Sequence, residues 1–245
     1  MSSDDYILGS GNGGLIPGYK PEKIKNDDRT WEKTSMVNIG LDLQILKGLI
    51  GLSVEYYNSD TTDMLLNVPV PLITGHGTAR MNVGKVNNRG WEIQLTSQKN
   101  ITKDLKYSFN ANFATNRNEV KALGAGDAPI ISSGSVAHAY YITEVGKPIG
   151  SYYLLVQDGI FENEEQLKQY PHFANTKVGD FRFVDVDGDG VLDVDKDRTV
   201  VGNYMPDFTY GFGGSISFRD FDLGFNFQGV YGNEILNLNK RYIDN

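Results

Sequence analysis

Residues 221–232 read FDLGFNFQGVYG, and their side chains alternate in character. The set at odd positions is mostly large and apolar, whereas the set at even positions is mostly small or polar. Successive side chains of a β-strand point to opposite faces of its sheet, so a repeat of two residues predicts a strand. The apolar face of this strand needs a neighbour other than water, because exposed apolar surface is unfavourable.

The same repeat of two residues recurs along much of the chain. The segments that carry it begin at Val37, Leu52, Trp91, Tyr107 and Phe208. In each of them the apolar positions alternate mainly with Asn, Gln, Ser, Thr, Gly, Asp or Glu. The sequence therefore predicts an all-β fold built from amphipathic antiparallel strands.

The predicted connections alternate between short and long. Short connections follow Ile45 and Phe218, whereas long ones cover about residues 61–87 and 118–206, the second with one short helix at Glu162–Tyr170. Outer-membrane barrels have short periplasmic turns, long extracellular loops and strands that alternate lipid-facing and lumen-facing residues. We therefore expect an antiparallel transmembrane β-barrel. The alternative is a soluble β-sandwich, in which the apolar face meets a second sheet.

Several aromatic residues stand near the ends of predicted strands, where a barrel places its aromatic girdles. They are Tyr56, Tyr57, Trp91, Tyr107 and Tyr231. Two tyrosine pairs, 140–141 and 152–153, are also expected in the barrel wall or a girdle. Stacking of these pairs on a sugar is the alternative.

Bulk composition excludes several classes of protein. The net charge is −8 and no Lys/Arg run occurs, which argues against a nucleic-acid partner. The chain has no cysteine, so disulfide and thiolate chemistry are excluded. No apolar run is long enough for a transmembrane helix, and the first residues lack the pattern of a signal peptide.

An acidic segment, Asp185–Asp197 (DVDGDGVLDVDKD), has the spacing of a calcium-binding loop. Alternate oxygen ligands, with a glycine at the sixth position for the sharp turn, suit Ca²⁺. The predicted ligands are Asp185, Asp187, Asp189, Val191 through its carbonyl, Asp193 and Asp197. Lys196 occupies the twelfth position, where an EF-hand has a bidentate glutamate. An Asp/Gly-rich turn that needs no ion is the alternative.

No catalytic or cofactor-binding residue is predicted. The glycines of Gly9–Gly14 match G-x-G-x-x-G, but no strong strand precedes them and Pro17 follows. His76, His138 and His172 are isolated in the sequence and fit neither a metal site nor a catalytic triad. A glycosidase needs two carboxylates flanking a cleft, which a sequence does not reveal.

Six stretches together resemble the C-terminal half of the barrel in SusC/RagA-type TonB-dependent receptors of Bacteroidetes. They are residues 38–71, 82–96, 109–123, 145–161, 179–212 and 221–235, and they include NVGKVNNRGWEIQLT and VGKPIGSYYLLVQDGIF. Their order and spacing carry the resemblance, which extends over nearly the whole chain from about Trp31.

The resemblance implies a 22-stranded barrel in the outer membrane of a Gram-negative bacterium. Such receptors import oligosaccharides or peptides with energy from TonB, and a SusD-like lipoprotein covers the outer mouth; they are not enzymes. Residues 1–245 would form part of the barrel, with strands from about residue 31 and without the plug domain that meets TonB, so we expect a fragment. A Ca²⁺ ion in the acidic segment would stiffen an extracellular loop. The soluble alternative is a secreted calcium-binding protein that binds glycan or protein, and a glycoside hydrolase is a third, weaker interpretation.

Overall fold

A computed structural model describes residues 2–6, 16–20, 29–71, 73, 75–134 and 139–238. The secondary structure is almost entirely β, as the alternation predicts. Strands β1 to β15 span, in order, Ser2–Tyr6, Ile16–Lys20, Lys33–Ile45, Ile50–Pro69, Thr78–Asn100, Leu105–Ala114, Arg117–Ala122, Ile130–Ser133, Tyr140–Thr143, Ser151–Leu155, Gln157–Ile160, Phe181–Phe183, Arg198–Gly202, Phe208–Phe218 and Phe221–Tyr231. The helix α1 spans Glu164–Gln169.

The largest sheet, here called the wall sheet, has seven strands. Its strand order is β15-β14-β6-β5-β4-β3. The seventh strand, β7, pairs with Lys85–Arg89 of β5, on the N-terminal side of the part of β5 that pairs with β6. Every pairing is antiparallel. The sheet is open, with β3 at one edge and β15 at the other.

Three tight turns join strands at one end of the wall sheet, here called the turn end. They cover residues 46–49, 101–104 and 219–220. Leu46, Lys47 and Arg219 adopt positive φ angles of 54°, 60° and 55°, the left-handed conformation that tight hairpin turns need. The opposite end, here called the loop end, carries the long connections. The predicted asymmetry between short and long connections is therefore present.

The first long connection differs from its prediction. Most of residues 61–87 is strand, because β4 has 20 residues and β5 has 23, and only residues 70–77 join them. The two strands therefore project beyond the rest of the wall sheet as a hairpin. Pro69, Pro71, Gly75 and Gly77 suggested a loop, but they cluster at the hairpin tip, where turn residues belong.

A bulge in β4 changes which residues face which side of the projecting hairpin. The register with β5 shifts between Thr61 and Met64 and again between Met64 and Leu65, and Asp63 has a φ of 58°. An inserted residue exchanges the faces of a strand, because side chains alternate with a period of two. Before the bulge in chain order, the even-numbered residues of β4 are on the apolar face of the sheet. After the bulge, Met64 and Leu66 pack on the cluster that contains Val86, on the opposite face.

The second long connection, residues 115–207, is folded rather than irregular. It contains β7, a four-stranded antiparallel sheet in the order β13-β10-β9-β8, and the two-stranded sheet β11-β12. The helix α1 falls within the predicted Glu162–Tyr170. Asn163 caps it by accepting a hydrogen bond from the Gln166 backbone N–H at 3.0 Å, and Leu167 is buried.

The hydrophobic core of the described residues lies at the loop end. Its buried side chains belong to the projecting hairpin or to the second long connection: Ala79, Val86, Val120, Leu123, Ala139, Ile142, Phe161, Leu167 and Leu192. No helix among the described residues is long and apolar enough to span a membrane. In the described part of the chain no second sheet covers the apolar face of the wall sheet, as the sandwich alternative requires.

Candidate functional site

One face of the wall sheet is a continuous apolar surface, here called the apolar band. Its strands are in a register that aligns the apolar positions, so that Ile39 lies opposite Tyr56, and Phe212 opposite Phe227. Its members are Val37, Ile39, Leu41, Leu43, Ile45, Leu52, Val54, Tyr56, Trp91, Ile93, Leu95, Tyr107, Phe109, Ala111, Phe113, Phe208, Tyr210, Phe212, Ile216, Phe218, Phe221, Leu223, Phe225, Phe227 and Tyr231.

The apolar band is exposed, most strongly at the edge strands. Phe221 is 78% exposed, Leu223 67% and Ile39 65%. Soluble proteins rarely expose apolar patches of more than a few hundred Å². A surface of this extent requires a nonaqueous partner.

The height of the apolar band matches a bilayer. Phe221–Tyr231 rises about 33 Å along the strand at about 3.3 Å per residue. With the tilt of about 40° that is usual in outer-membrane barrels, this corresponds to about 25 Å along the membrane normal. The apolar belt of such barrels has the same height, about 25 Å.

Aromatic rings form a row at the loop end of the apolar band. Tyr56 and Trp91 have ring centroids 4.9 Å apart, Phe113 and Phe208 5.4 Å, and Phe208 and Tyr231 5.0 Å. Aromatic girdles of this kind occupy the interface between hydrocarbon and headgroups. Three of the five predicted girdle residues are therefore in this row.

The other two predicted girdle residues lie elsewhere. Tyr107 is near the turn end of the apolar band, opposite Ile216 and Lys99. Tyr57 points to the opposite, polar face, where its hydroxyl donates to Asn116 Oδ1 at 3.0 Å. Adjacent residues of a strand face opposite sides, so Tyr56 and Tyr57 do not belong to one girdle.

The polar face of the wall sheet consists of small and hydrogen-bonding side chains. Hydrogen bonds cross between strands here, from Asn38 Nδ2 to Glu55 Oε2 at 3.2 Å and between the Ser108 and Ser215 hydroxyls at 2.8 Å. Glu55 lies directly opposite Glu92. Neutral amides and hydroxyls outnumber charges, so the surface is suited to water and to uncharged polar solutes.

The acidic segment folds as a surface turn within the second long connection. One oxygen from each of Asp185, Asp187 and Asp189 lies within 4.8 Å of the other two. In the described part of the chain, this is the one group of three or more acidic or histidine side chains close enough to share an ion. The structure thus brings together three of the six predicted ligands, and their carboxylate oxygens are of the type that hard cations prefer.

The same three carboxylates also bond to the backbone of their own loop. Asp185 accepts from the backbone N–H groups of Gly188 and Gly190 at 2.7 and 2.8 Å. Asp187 accepts from Asp189 N–H at 3.1 Å, and Asp189 accepts from Val191 N–H at 2.8 Å. Such turns form without an ion, so this geometry agrees with both interpretations of the segment.

Asp193 and Asp197 are not part of the three-carboxylate group. Asp197 is fully buried, and its two oxygens accept from the backbone N–H groups of Val186 at 2.8 Å and Asp193 at 2.7 Å. Asp193 accepts from Asp195 N–H at 2.7 Å. Asp197 therefore holds the two ends of the loop together. Ligation by these two residues and by the Val191 carbonyl stays a prediction.

Lys196 contributes a cation to the acidic loop. Its Nζ lies 3.0 Å from Asp189 Oδ2. This hydrogen bond lowers the pKa of Asp189 below its usual value, with a further contribution from the Val191 N–H. The same contact raises the pKa of Lys196. The ammonium group thus neutralises one of the three carboxylates that a metal ion would use.

The two tyrosine pairs that we expected in the barrel wall or a girdle lie in the second long connection instead. Tyr140 and Tyr141 belong to β9, and Tyr152 and Tyr153 to β10, of the small four-stranded sheet. The guanidinium of Arg198 lies 3.5 Å from the Tyr140 ring centroid. These rings are therefore part of local packing at the loop end rather than of the girdle.

The glycine motif of residues 9–14 and the three isolated histidines contribute to no binding or catalytic site among the described residues. Residues 9–14 and His138 lie outside the described residues. His172 contacts the Tyr170 carbonyl at 3.0 Å and the Phe161 ring at 5.9 Å, a packing arrangement. Among the described residues, no group of potential metal ligands includes His76 or His172.

Comparisons with known proteins agree with this geometry. The family profile described as TonB dependent receptor-like, beta-barrel matches residues 4–244. The chain is 30% identical to TonB-dependent receptor P39 of Formosa agariphila, over 90% of this chain and 24% of that protein. It is 27% identical to TonB-dependent receptor SusC of Bacteroides thetaiotaomicron, over 87% of this chain and 21% of that protein. The chain spans about a quarter of the length of these curated relatives.

Solved structures show the same fold. The RagAB peptide transporter matches with a TM-score of 0.68 at 23% identity, covering 100% of this chain and 26% of that chain. The RagAB peptide importer in its open-open state matches with a TM-score of 0.65 at 25% identity, covering 95% of this chain and 24% of that one.

Proposed function

The chain belongs to the TonB-dependent receptor-like β-barrel family, and from this membership we propose that it forms part of the barrel wall of a nutrient importer in a Gram-negative outer membrane. Receptors of this family are transporters rather than enzymes. The observation that carries the proposal is the wall sheet itself, whose apolar band is exposed on one face while the other face is polar. Lipid satisfies the first face and a water-filled lumen the second.

Orientation follows from the two ends of the wall sheet. Outer-membrane barrels have short turns on the periplasmic side and long loops outside the cell. The turn end therefore faces the periplasm, and the projecting hairpin with the folded connection faces outward. In this position the loop-end structures would contribute to the outer mouth, where a nutrient first meets the receptor.

The proposed cargo is an oligosaccharide or a peptide, delivered with a SusD-like lipoprotein and imported with energy from TonB. Support comes from the names of the relatives, since one is called SusC and a similar structure is a peptide transporter. The polar face, rich in amides and hydroxyls, suits passage of either class. TonB would act through a plug domain of the intact receptor, and the lipoprotein through the loop end.

We propose that a Ca²⁺ ion bound by the acidic loop would have a structural role. The group formed by Asp185, Asp187 and Asp189 supplies oxygen ligands, as Ca²⁺ requires. Bound there, the ion would neutralise the carboxylates and stiffen an extracellular loop without touching the cargo.

Fractionation of the native cells tests the location. An antibody against the acidic-loop peptide should detect a band several times larger than 27.2 kDa in the outer-membrane fraction. A soluble band near 27.2 kDa would contradict the proposal, because the apolar band would then need a protein partner. The secreted β-protein alternative predicts this second outcome.

Growth tests the transport activity and separates the two cargo classes. A strain lacking the gene should lose growth on one class of polymer, oligosaccharides or peptides, as sole carbon source and keep growth on its monomers. Monomers serve as the control because they cross the outer membrane through general porins. Unchanged growth on both classes would contradict nutrient import. Release of sugar by the purified protein would favour the glycoside hydrolase interpretation.

A further inference from the structure

Cations cluster on the face of the wall sheet that carries the apolar band, just beyond the aromatic row at the loop end. Arg89 is two residues before Trp91 in an unbroken part of β5, so it shares the face of Trp91 and lies about 7 Å further along the strand. Arg117 of β7 is directly opposite Arg89. Lys85 and Lys121 continue this group along the two strands. These four residues are here called the cationic patch.

Carboxylates neutralise only half of the cationic patch. Glu119 Oε1 lies 2.7 Å from Lys121 Nζ and its Oε2 lies 3.6 Å from Arg89 Nη2, while Asp60 Oδ2 lies 3.4 Å from Lys85 Nζ. Arg117 is exposed and forms no ion pair within 4.0 Å with any residue that the structure describes, although its charge acts on Glu119 from a longer distance. The pKa of Glu119 lies below its usual value, chiefly because Lys121 donates a hydrogen bond to it. Four cations against two carboxylates leave an excess of positive charge.

The Arg89–Arg117 pair is unfavourable in isolation. Like charges directly opposite each other on one sheet face destabilise the pairing of their strands. An anion between the two guanidinium groups would reverse the sign of this contribution, because each guanidinium can donate two parallel hydrogen bonds to phosphate. The whole chain has a net charge of −8, so a positive patch at this position is not a consequence of its composition.

We propose that the cationic patch binds the phosphate groups of a glycolipid headgroup in the outer leaflet of the outer membrane. The inference rests on the proposed function, since it requires the apolar band to lie in that membrane. Position selects the source of the phosphate: Arg89 and Arg117 lie about 5 Å above the aromatic row along the membrane normal, at the depth of lipid headgroups. Such a contact would anchor the base of the projecting hairpin to the membrane surface.

The experiment uses the full-length protein in detergent and measures retained lipid by native mass spectrometry. The probe is lipid A with two phosphates, compared with the same lipid after dephosphorylation and with inorganic phosphate. The test variant is Arg89→Gln/Arg117→Gln. The control is Lys99→Gln/Lys103→Gln, which removes the same charge from the turn end of the β5–β6 hairpin.

We expect the test variant to bind phosphorylated lipid A about 10- to 30-fold more weakly than the parent protein, while the control variant binds like the parent. Dephosphorylated lipid A should bind the parent and the test variant equally. The single variant Arg117→Gln, which leaves no carboxylate without its partner, should reproduce at least part of the loss and guards against misfolding of the double variant.

Two results would overturn the proposal. The first is equal binding of phosphorylated lipid A to the test variant and the parent. The second is complete displacement of the lipid by inorganic phosphate at the same concentration, which would indicate a general anion site. Failure of the proposed function looks different, since the protein would then stay soluble without detergent and would be absent from the outer membrane.

Discussion

Asp197 and Lys196 are neighbours that have opposite effects on the acidic loop. Asp197 is buried and bonds two backbone N–H groups, so it fixes the loop with or without an ion. Lys196 is exposed and pairs with Asp189, so it competes with any cation for that carboxylate. The folding of the loop and its capacity to bind an ion therefore depend on different residues, and substitutions can separate them.

Substitution Asp197→Ala should loosen the loop. It leaves the partly buried N–H groups of Val186 and Asp193 without this acceptor, which should cost about 2 kcal/mol of local stability. Hydrogen exchange of these two amides should accelerate strongly. Asp195→Ala is the matched control, because its side chain is 87% exposed and should matter little. Equal exchange in the two variants would show that Asp197 does not hold the loop.

Calcium binding is tested by calorimetric titration of the protein and of Lys196→Gln. Removal of the competing ammonium group should tighten binding about tenfold, since it takes a positive charge away from the carboxylate that the cation would use. Asp187→Asn should weaken it. Absence of heat at millimolar Ca²⁺ in both proteins would show that the segment is a turn without an ion.

Acid should weaken the contact between Asp189 and Lys196. The folded pKa of Asp189 is lowered, so its contribution to stability is present above its unfolded pKa of about 3.9 and is lost as the pH falls through the lower folded value. The side-chain chemical shifts of Asp189 should therefore titrate below about pH 4. In Lys196→Gln the midpoint should move upward, and an unchanged midpoint would contradict the role of Lys196.

At the scale of single elements, aromatic rings cover glycines on paired strands. Gly229 lies opposite Tyr210 in the β14–β15 hairpin, and a Cβ at this position would overlap the tyrosine ring. The ring covers backbone that a glycine leaves open, and this stabilises designed and natural sheets alike. Gly229 of FDLGFNFQGVYG therefore shapes the apolar band together with Tyr210.

Substitution Gly229→Val should destabilise the β14–β15 hairpin by about 1–3 kcal/mol, because Tyr210 has to leave its position. Thermal unfolding of the full-length protein in detergent measures this effect. Gly224→Ala is the control, since its nearest neighbour, the Gly214 carbonyl oxygen, lies 3.9 Å from the added Cβ. Equal melting temperatures of the two variants would contradict the role of the ring.

The bulge at Asp63 is the second feature at this scale. It moves the apolar residues of the projecting hairpin from the lipid side to the side that packs on Val120 and Leu123. The change of face occurs above the aromatic row, where lipid no longer covers the sheet. Two register shifts, between Thr61 and Met64 and between Met64 and Leu65, thus separate the part of the two strands that carries the apolar band from the part that packs on Val120 and Leu123.

At the scale of the whole molecule, the described residues have an open wall sheet, with β3 and β15 at its edges, and an exposed apolar band. Unpaired edges and apolar surface of this extent lead to aggregation in water. The isolated chain should therefore scatter light strongly without detergent and become smaller on addition of detergent. A monodisperse monomer in water would contradict the exposure of the apolar band.

Much of the fold is predictable from the sequence, but the loop end is not. The strand repeats and short turns depend on neighbouring residues, and so does α1, with Asn163 before it and Pro171 after it. The length of the projecting hairpin was hidden by the prolines and glycines at its tip, whereas the β10–β13 pairing of the small sheet and the pairing of Arg89 with Arg117 depend on residues distant in sequence. Register between distant strands leaves no local signal, so these features were missed.

The candidate metal site shows the same division. The spacing of Asp185, Asp187 and Asp189 predicts that their side chains gather, and they do. The same spacing gives no sign that Asp197 is buried and turned toward backbone N–H groups. Burial depends on the packing of the surrounding sheets, whereas the turn depends only on the loop itself.

The sequence by itself determined the strands, their two faces and the short turns, because alternation and turn chemistry act over a few residues. The tertiary structure alone decided where the apolar faces join into one band, where the bulge reverses them and which cations meet above the aromatic row. The physical reason is the pairing of strands. It places residues that are far apart in the chain about 5 Å from one another, so that the apolar band and the cationic patch are formed by several strands together rather than by any single segment.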